Sequence, residues 1–282
     1  MIKFILAAIV WVVGTMFSSA LVNALHLPFP TLPQDASQAE RFALFVLGSV
    51  LLAAGMTPLA SRLRGGFVGR WGALAALLFI CIGVNTSIEA VVFSSTMTPA
   101  QGITLALMTL IPSVLGAAVL ARRPKDLVAL PAFGGPGWAW RLFAAWLAFP
   151  VIYYFFGSII APFVTDAYLQ GISGLRIPTA TVVITTQLVR SPIFLGAILP
   201  CVLLWNGSRR SLGFHLGLAL AIAIGIYGLV QATFFPMHLR IIHSLEITAD
   251  EFTYAFVLAW LFRPAPSKEA SGIALDAHPT LV

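Results

Sequence analysis

Eight apolar stretches, each long enough to cross a lipid bilayer, follow one another along this 282-residue chain. A bilayer core of about 30 Å takes about 20 helical residues at a rise of about 1.5 Å each. The stretches lie near 3–24, 41–61, 71–94, 101–121, 139–162, 182–206, 213–234 and 241–262, the last with a polar first half. Hydrophobic residues make up 59% of the sequence and charged ones 9%, against about a quarter charged in an ordinary soluble domain. No water-soluble fold of this length hides that much apolar surface, which excludes a cytosolic enzyme and a disordered chain alike. The expected fold is all-α: a polytopic integral membrane protein of about eight transmembrane helices.

The connecting segments set an orientation. Lys3, Arg62, Arg64, Arg70, Arg122, Arg123, Lys125, Arg141, Arg209, Arg210, Arg263 and Lys268 fall on one side, twelve of the sixteen Lys and Arg residues. Arg41, Arg176, Arg190 and Arg240 fall on the other. Positive charge stays on the cytoplasmic side, so both termini are expected there, in a bacterial-type inner (plasma) membrane. The net charge of +6 therefore reads as membrane orientation. No aromatic-interleaved basic stripe accompanies it, and nucleic acid is not an expected partner; membrane lipid is. Cys81 and Cys201 sit inside apolar runs and offer neither a disulfide framework nor a CxxC metal site. The first run, with Lys3 ahead of it and small residues at Ser18–Ala20 and Val22–Ala24, has the look of a secretory signal peptide. It is also long enough to span, and internal similarity gives it a counterpart.

That similarity suggests two four-helix halves. Trp71–Phe93 lies on Gly213–Phe235 without a gap, matching Leu74 with Leu216, Leu78 with Leu220, Ile80 with Ile222, Ile82 with Ile224, Gly83 with Gly225, Ala90 with Ala232 and Phe93 with Phe235. Span two matches span six more loosely, Arg41 on Arg190 and Phe45 on Phe194, and span one matches span five at Lys3/Arg141, Ala7/Ala145 and Phe17/Phe155. Repeats of four spans share an orientation and place a pseudo-twofold axis along the membrane normal. The expected organisation is a first half at 1–121, a Pro/Gly-rich cytoplasmic linker at 122–138, a second half at 139–263 and a polar disordered tail at 264–282.

Ionisable groups inside a bilayer are costly and need a partner or a role. Glu89 lies about five residues, roughly 8 Å, below the outer end of span three, with Asn85 one turn before it on the same face. In span eight, His243, Glu246 and Asp250 form a stripe roughly 60° wide at about 100° per residue, continued by Tyr254, with Arg240 at its edge. His238 points away, and Glu251 adjoins the stripe. Arg41, Arg190 and Arg240 share the outer level, with Gln187 and Gln231 near them.

Three readings follow. In the first, a binding or transport site opens to the extracytoplasmic side; Arg41, Arg190 and Arg240 hold an anionic small molecule or lipid headgroup, while Asn85, Glu89, His243, Glu246 and Asp250 orient or titrate. In the second, His243, Glu246 and Glu89 hold a metal for hydrolysis of a membrane substrate. In the third, the charges form structural ion pairs of a non-catalytic accessory subunit. The first takes precedence and needs no cofactor. With no GxSxG and no cysteine near a histidine, a serine or cysteine hydrolase has no support. The glycosylation-like Asn85-Thr86-Ser87 and Asn206-Gly207-Ser208 lie in a span and on the cytoplasmic side. Gly213-x-x-x-Gly217 reads as helix packing.

Overall fold

A computed structural model describes residues 2–30, 36–122 and 136–262. Most of the expected linker and all of the expected tail lie outside the described residues, as do Pro33, Arg123, Lys125, Arg263 and Lys268. The described chain is helical with no sheet. Its long helices are α1 (Ile2–Ala24), α2 (Gln38–Ser61), α3 (Phe67–Phe93), α4 (Pro99–Ala121), α5 (Pro136–Leu169), α6 (Ala180–Leu204), α7 (Arg209–Gln231) and α8 (Met237–Phe262). The first seven are long and apolar enough to cross a membrane. This is a polytopic all-α membrane protein. α8 is as long, but it carries Arg240, Glu246, Asp250 and Glu251 and packs along α5 and α7.

Short polar residues start the helices where the sequence leaves an apolar run. The Ser37, Thr179 and Ser208 side chains accept from the backbone N–H of Glu40, Val182 and Ser211, satisfying donors that have no partner within the helix. Thr98 and Gln101 form a reciprocal capping box at α4.

α2, α3, α6 and α7 form the centre, with Met56, Leu59, Leu74, Leu77, Ile198, Leu212, Leu216 and Leu220 fully buried among them. α1 and α4 pack on one side of this centre, and α5 and α8 on the other. Ile5, Ile9, Val13 and Phe17 of α1, and Val151, Phe155, Ile159 and Phe163 of α5, stay exposed as apolar stripes, the surface a bilayer covers. α1 is fixed to this body: Trp11 donates to the Tyr227 hydroxyl at 2.9 Å.

Several features recur along the chain at one constant offset. A shift of 142 residues, from Leu63 to Trp205, carries N-cap Ser37 onto Thr179, Gly66 onto Ser208 and Pro58 onto Pro200. It also superposes two π-helical turns, Phe79–Asn85 in α3 and Ala221–Ile226 in α7. Leu63 and Trp205 pair with each other, flanked by Arg64 N–H to Leu204 O (2.7 Å) and Asn206 N–H to Arg62 O (2.8 Å). Those bonds exchange under the same shift. In this register Arg190 stands opposite Gly48. The looser Arg41/Arg190 match follows a different offset, whereas Ser49/Ser191 and Pro58/Pro200 follow this one.

The flanking helices obey a shift of 138. Gly83 presses against Thr109, and Gly225 against Ile247. Both glycines sit in the π turns, where a side chain would push α4 or α8 away. Gly213 and Gly217 likewise face Phe256 and Phe252 of α8, so this spacing serves packing within the chain.

Basic residues gather at one end of the bundle. Lys3 donates to the Arg122 carbonyl, Arg62 to the Ser211 hydroxyl and Arg64 to Asn206. At the other end Ser95 N–H binds Gly174 O and Arg176 N–H binds Phe93 O.

Candidate functional site

A cavity of about 540 Å³ is bounded by α5, α7 and α8, the last turns of α3 and the start of α6. Toward the end opposite the basic cluster, Ser94, Ser173 and Phe234 line it. α5 supplies one wall from a single stripe: Phe149, Ile152, Tyr153, Gly157, Ile160, Ala161, Val164 and Tyr168. Steps of three and four keep residues on one helix face. Phe93, Leu105, Phe235 and Leu239 add further apolar wall. At its inner part stand Glu89, Arg190, His243, Glu246, Asp250 and Glu251.

Arg190 is 3% exposed and heavily engaged. Nε donates to Asn85 Oδ1 at 2.8 Å, and Nη1 to Glu89 Oε1 at 2.7 Å and Gln187 Oε1 at 3.1 Å. Its guanidinium carbon stands 5.5 Å from the Phe149 ring centre and 5.9 Å from that of Tyr153. A buried guanidinium needs this many acceptors because water is not there to supply them. The π turn of α3 ends at Asn85, which places Asn85 and Glu89 together before the cation. π turns within helices recur at functional positions.

The second group is on α8. His243 Nδ1 and Glu246 Oε2 are 2.8 Å apart, and Tyr168 Oη lies 3.5 Å from Nε2, at the outer limit for a hydrogen bond. Gly157 makes room beside them: a Cβ there would stand 3.6 Å from Glu246 Oε1. One turn deeper, Asp250 Oδ1 and Glu251 Oε2 are buried with no hydrogen-bond partner among the described residues.

Five of the residues read from the sequence thus line the cavity: Glu89, Arg190, His243, Glu246 and Asp250. Asn85 supports them from behind Arg190. Arg240 and Arg41 do not line it. Arg240 donates from Nε to Leu229 O at 2.8 Å and from Nη2 to Val230 O at 2.5 Å. It closes the end of α7, where unpaired carbonyls and the helix dipole attract a cation. Arg176 does the same for α3 through Val91 O and Val92 O. Arg41 sits on the first turn of α2. The three-arginine clamp is therefore corrected to a single arginine already held by a carboxylate.

The metal trio is corrected too. Glu89 turns to Arg190 and Glu246 to His243, and among the described residues no group of three or more His, Cys, Asp and Glu is arranged to hold a metal ion. Glu251, Tyr153 and Tyr168 were not in the expected set. Glu251 had a signal: an acid eleven positions before the end of an apolar helix at Phe262 requires an explanation by itself.

The first half shows what the same architecture looks like without these charges. At the two shifts, Gly48 stands for Arg190, Gln231 for Glu89, Tyr227 for Asn85, Pro112 for Asp250 and Ser113 for Glu251. Contacts are conserved in kind: Gln231 Nε2 would meet a Cβ on Gly48 at 3.0 Å. The Trp11 and Tyr227 rings stand 5.8 Å apart and edge-on.

No family model, curated protein or solved structure matches this chain. What the site does is therefore argued from its own chemistry.

Proposed function

We propose that this is a binding or transport protein of a bacterial-type inner membrane, built as a duplicated four-helix unit. In this reading α8 completes eight spans, both termini are cytoplasmic, and the cavity opens to the extracytoplasmic side. The cavity takes an amphiphile, with its apolar part along the α5 stripe and its polar end at Glu89, Arg190, His243, Glu246 and Asp250. One observation carries this: apolar walls and an ionic inner end occupy the same cavity, the two-part lining that orients a ligand. A structural role alone leaves the cavity without a purpose, and the first half packs by the same plan with neutral residues.

The grip on an anion loses its support, since Arg41 and Arg240 are elsewhere and Arg190 faces Glu89.

The test is native mass spectrometry of the protein in nanodiscs with dodecylammonium, dodecyl phosphate or dodecyl maltoside. Gly157→Phe fills the cavity beside Glu246. The wild type is expected to hold one dodecyl molecule of at least one head type. Gly157→Phe, checked for folding by gel filtration, is expected to weaken that binding by about tenfold or more. Equal binding of all three probes by both proteins would overturn the reading.

A further inference from the structure

We infer that the head received by this cavity is positively charged, a primary ammonium on an aliphatic body, with Glu251 and Asp250 as its counter-ions. The inference rests on the amphiphile reading above and adds the sign of the charge.

The charges around the cavity do not balance. Glu89, Glu246, Asp250 and Glu251 face Arg190 and His243. Arg190 is spent on Glu89, Asn85 and Gln187, and His243 on Glu246. The nearest outer arginine on the same helix, Arg240, closes the end of α7. Among the described residues no ion pair joins Asp250 or Glu251 to a protein cation.

Glu251 is the decisive group. It is 4% exposed, it lines the cavity, and its Oε2 has no partner among the described residues. Asp250 Oδ1, on the next residue, is in the same condition. An ionised carboxylate offers only acceptors, so its complement is a donor, and an ammonium brings three. A cation arriving with its own N–H groups supplies donors to both orphan oxygens. An anionic head meets four carboxylates and a guanidinium already claimed.

The register between the halves argues against packing as the reason for these acids. Ser113 and Pro112 occupy the places of Glu251 and Asp250 in the first half, and Ser113 is fully buried there.

The experiment compares dodecylammonium with dodecyl phosphate in nanodiscs, reading the ratio of their affinities for wild type, Glu251→Gln and Asp250→Asn. Wild type is expected to prefer the ammonium by about tenfold or more, and the preference to collapse toward unity in Glu251→Gln. Glu251→Gln keeps the shape and removes a buried charge; Asp250→Asn gives a second reading should it not fold. If binding is sensitive to Gly157→Phe but prefers phosphate, or prefers neither, the inference fails and the cavity reading stands. If no head shows Gly157→Phe-sensitive binding, both fail. A preference that survives in both acid variants, or displacement of dodecylammonium by equimolar sodium or potassium, overturns the assignment to these acids or to an ammonium.

Discussion

Arg190 decides how much charge the interior can carry. Among the described residues it is the one guanidinium on the cavity, and it binds Asn85, Glu89 and Gln187 at once. Arg190→Ala leaves the part-exposed Glu89 without its cation, so only a part of the about 3–5 kcal/mol that breaking a fully buried pair costs is expected from the lost charge. The expected outcome is a loss of thermal stability in detergent, measured by intrinsic fluorescence. Arg190→Lys keeps the charge but not the planar fork that reaches Asn85 and Glu89 together, so it recovers only part of that loss. Glu89→Gln leaves Arg190 with two amide acceptors and is expected to cost less. At this scale the sequence was informative about depth and face, because an acid in an apolar run stands out and helical spacing is regular. That is why Glu89 and the His243–Glu246–Asp250 stripe were legible. It was uninformative about partners. Arg240 and Arg190 share a level in sequence, yet one turns to backbone carbonyls and the other to a carboxylate. Which acceptor lies within reach depends on how α7 ends and where α3 widens, and neither is written in residue type.

The π turns are the elements that shape the site. Each allows a flanking helix to approach at a glycine, Gly83 against Thr109 and Gly225 against Ile247. A branched side chain has no room there. Gly83→Val is expected to destabilise the protein by about 1–3 kcal/mol, the usual cost of overpacking a filled interior. It also rotates Asn85 and Glu89, so dodecyl-probe binding should weaken with it. Thr98→Ala removes the capping box of α4 and should cost about 1 kcal/mol in thermal stability without affecting probe binding, since Thr98 is not on the cavity. The gapless match of Trp71–Phe93 with Gly213–Phe235 pointed to equivalent helices, but the π turns gave no signal, because their residues are as apolar as any in the run. The looser match of span two with span six uses an offset different from that of the π turns. Two isolated matches, Arg41/Arg190 and Phe45/Phe194, outweighed Ser49/Ser191 and Pro58/Pro200, although serine and proline in apolar helices are the rarer pairings.

At the scale of the whole molecule, charge and hydropathy dominate, and these are the properties a sequence displays most openly. An all-helical membrane body followed from eight apolar runs alone. The basic end is held together by Lys3, Arg62 and Arg64 through bonds to other helices, so the residues that set orientation also tie the ends. Alkaline phosphatase fused after Ser95 or Ile177 is expected to be active, and after Arg64 or Arg209 to be silent. The reverse pattern would invert the proposed topology and turn the cavity toward the cytoplasm. The asymmetry between the halves was not legible beforehand. It rests on a cavity lined from several helices, and no single-span pattern announces an empty space.

The account depends on that space being a ligand site whose inner end is acidic. The most direct measurement is an electron cryomicroscopy map of the protein in nanodiscs with dodecylammonium. The expected map holds a chain along Ile160 and Val164 of α5, with its head against Glu251 and Asp250 and the Arg190–Glu89 pair intact. A cavity closed by its own side chains, with Glu251 paired to a protein cation, would contradict it.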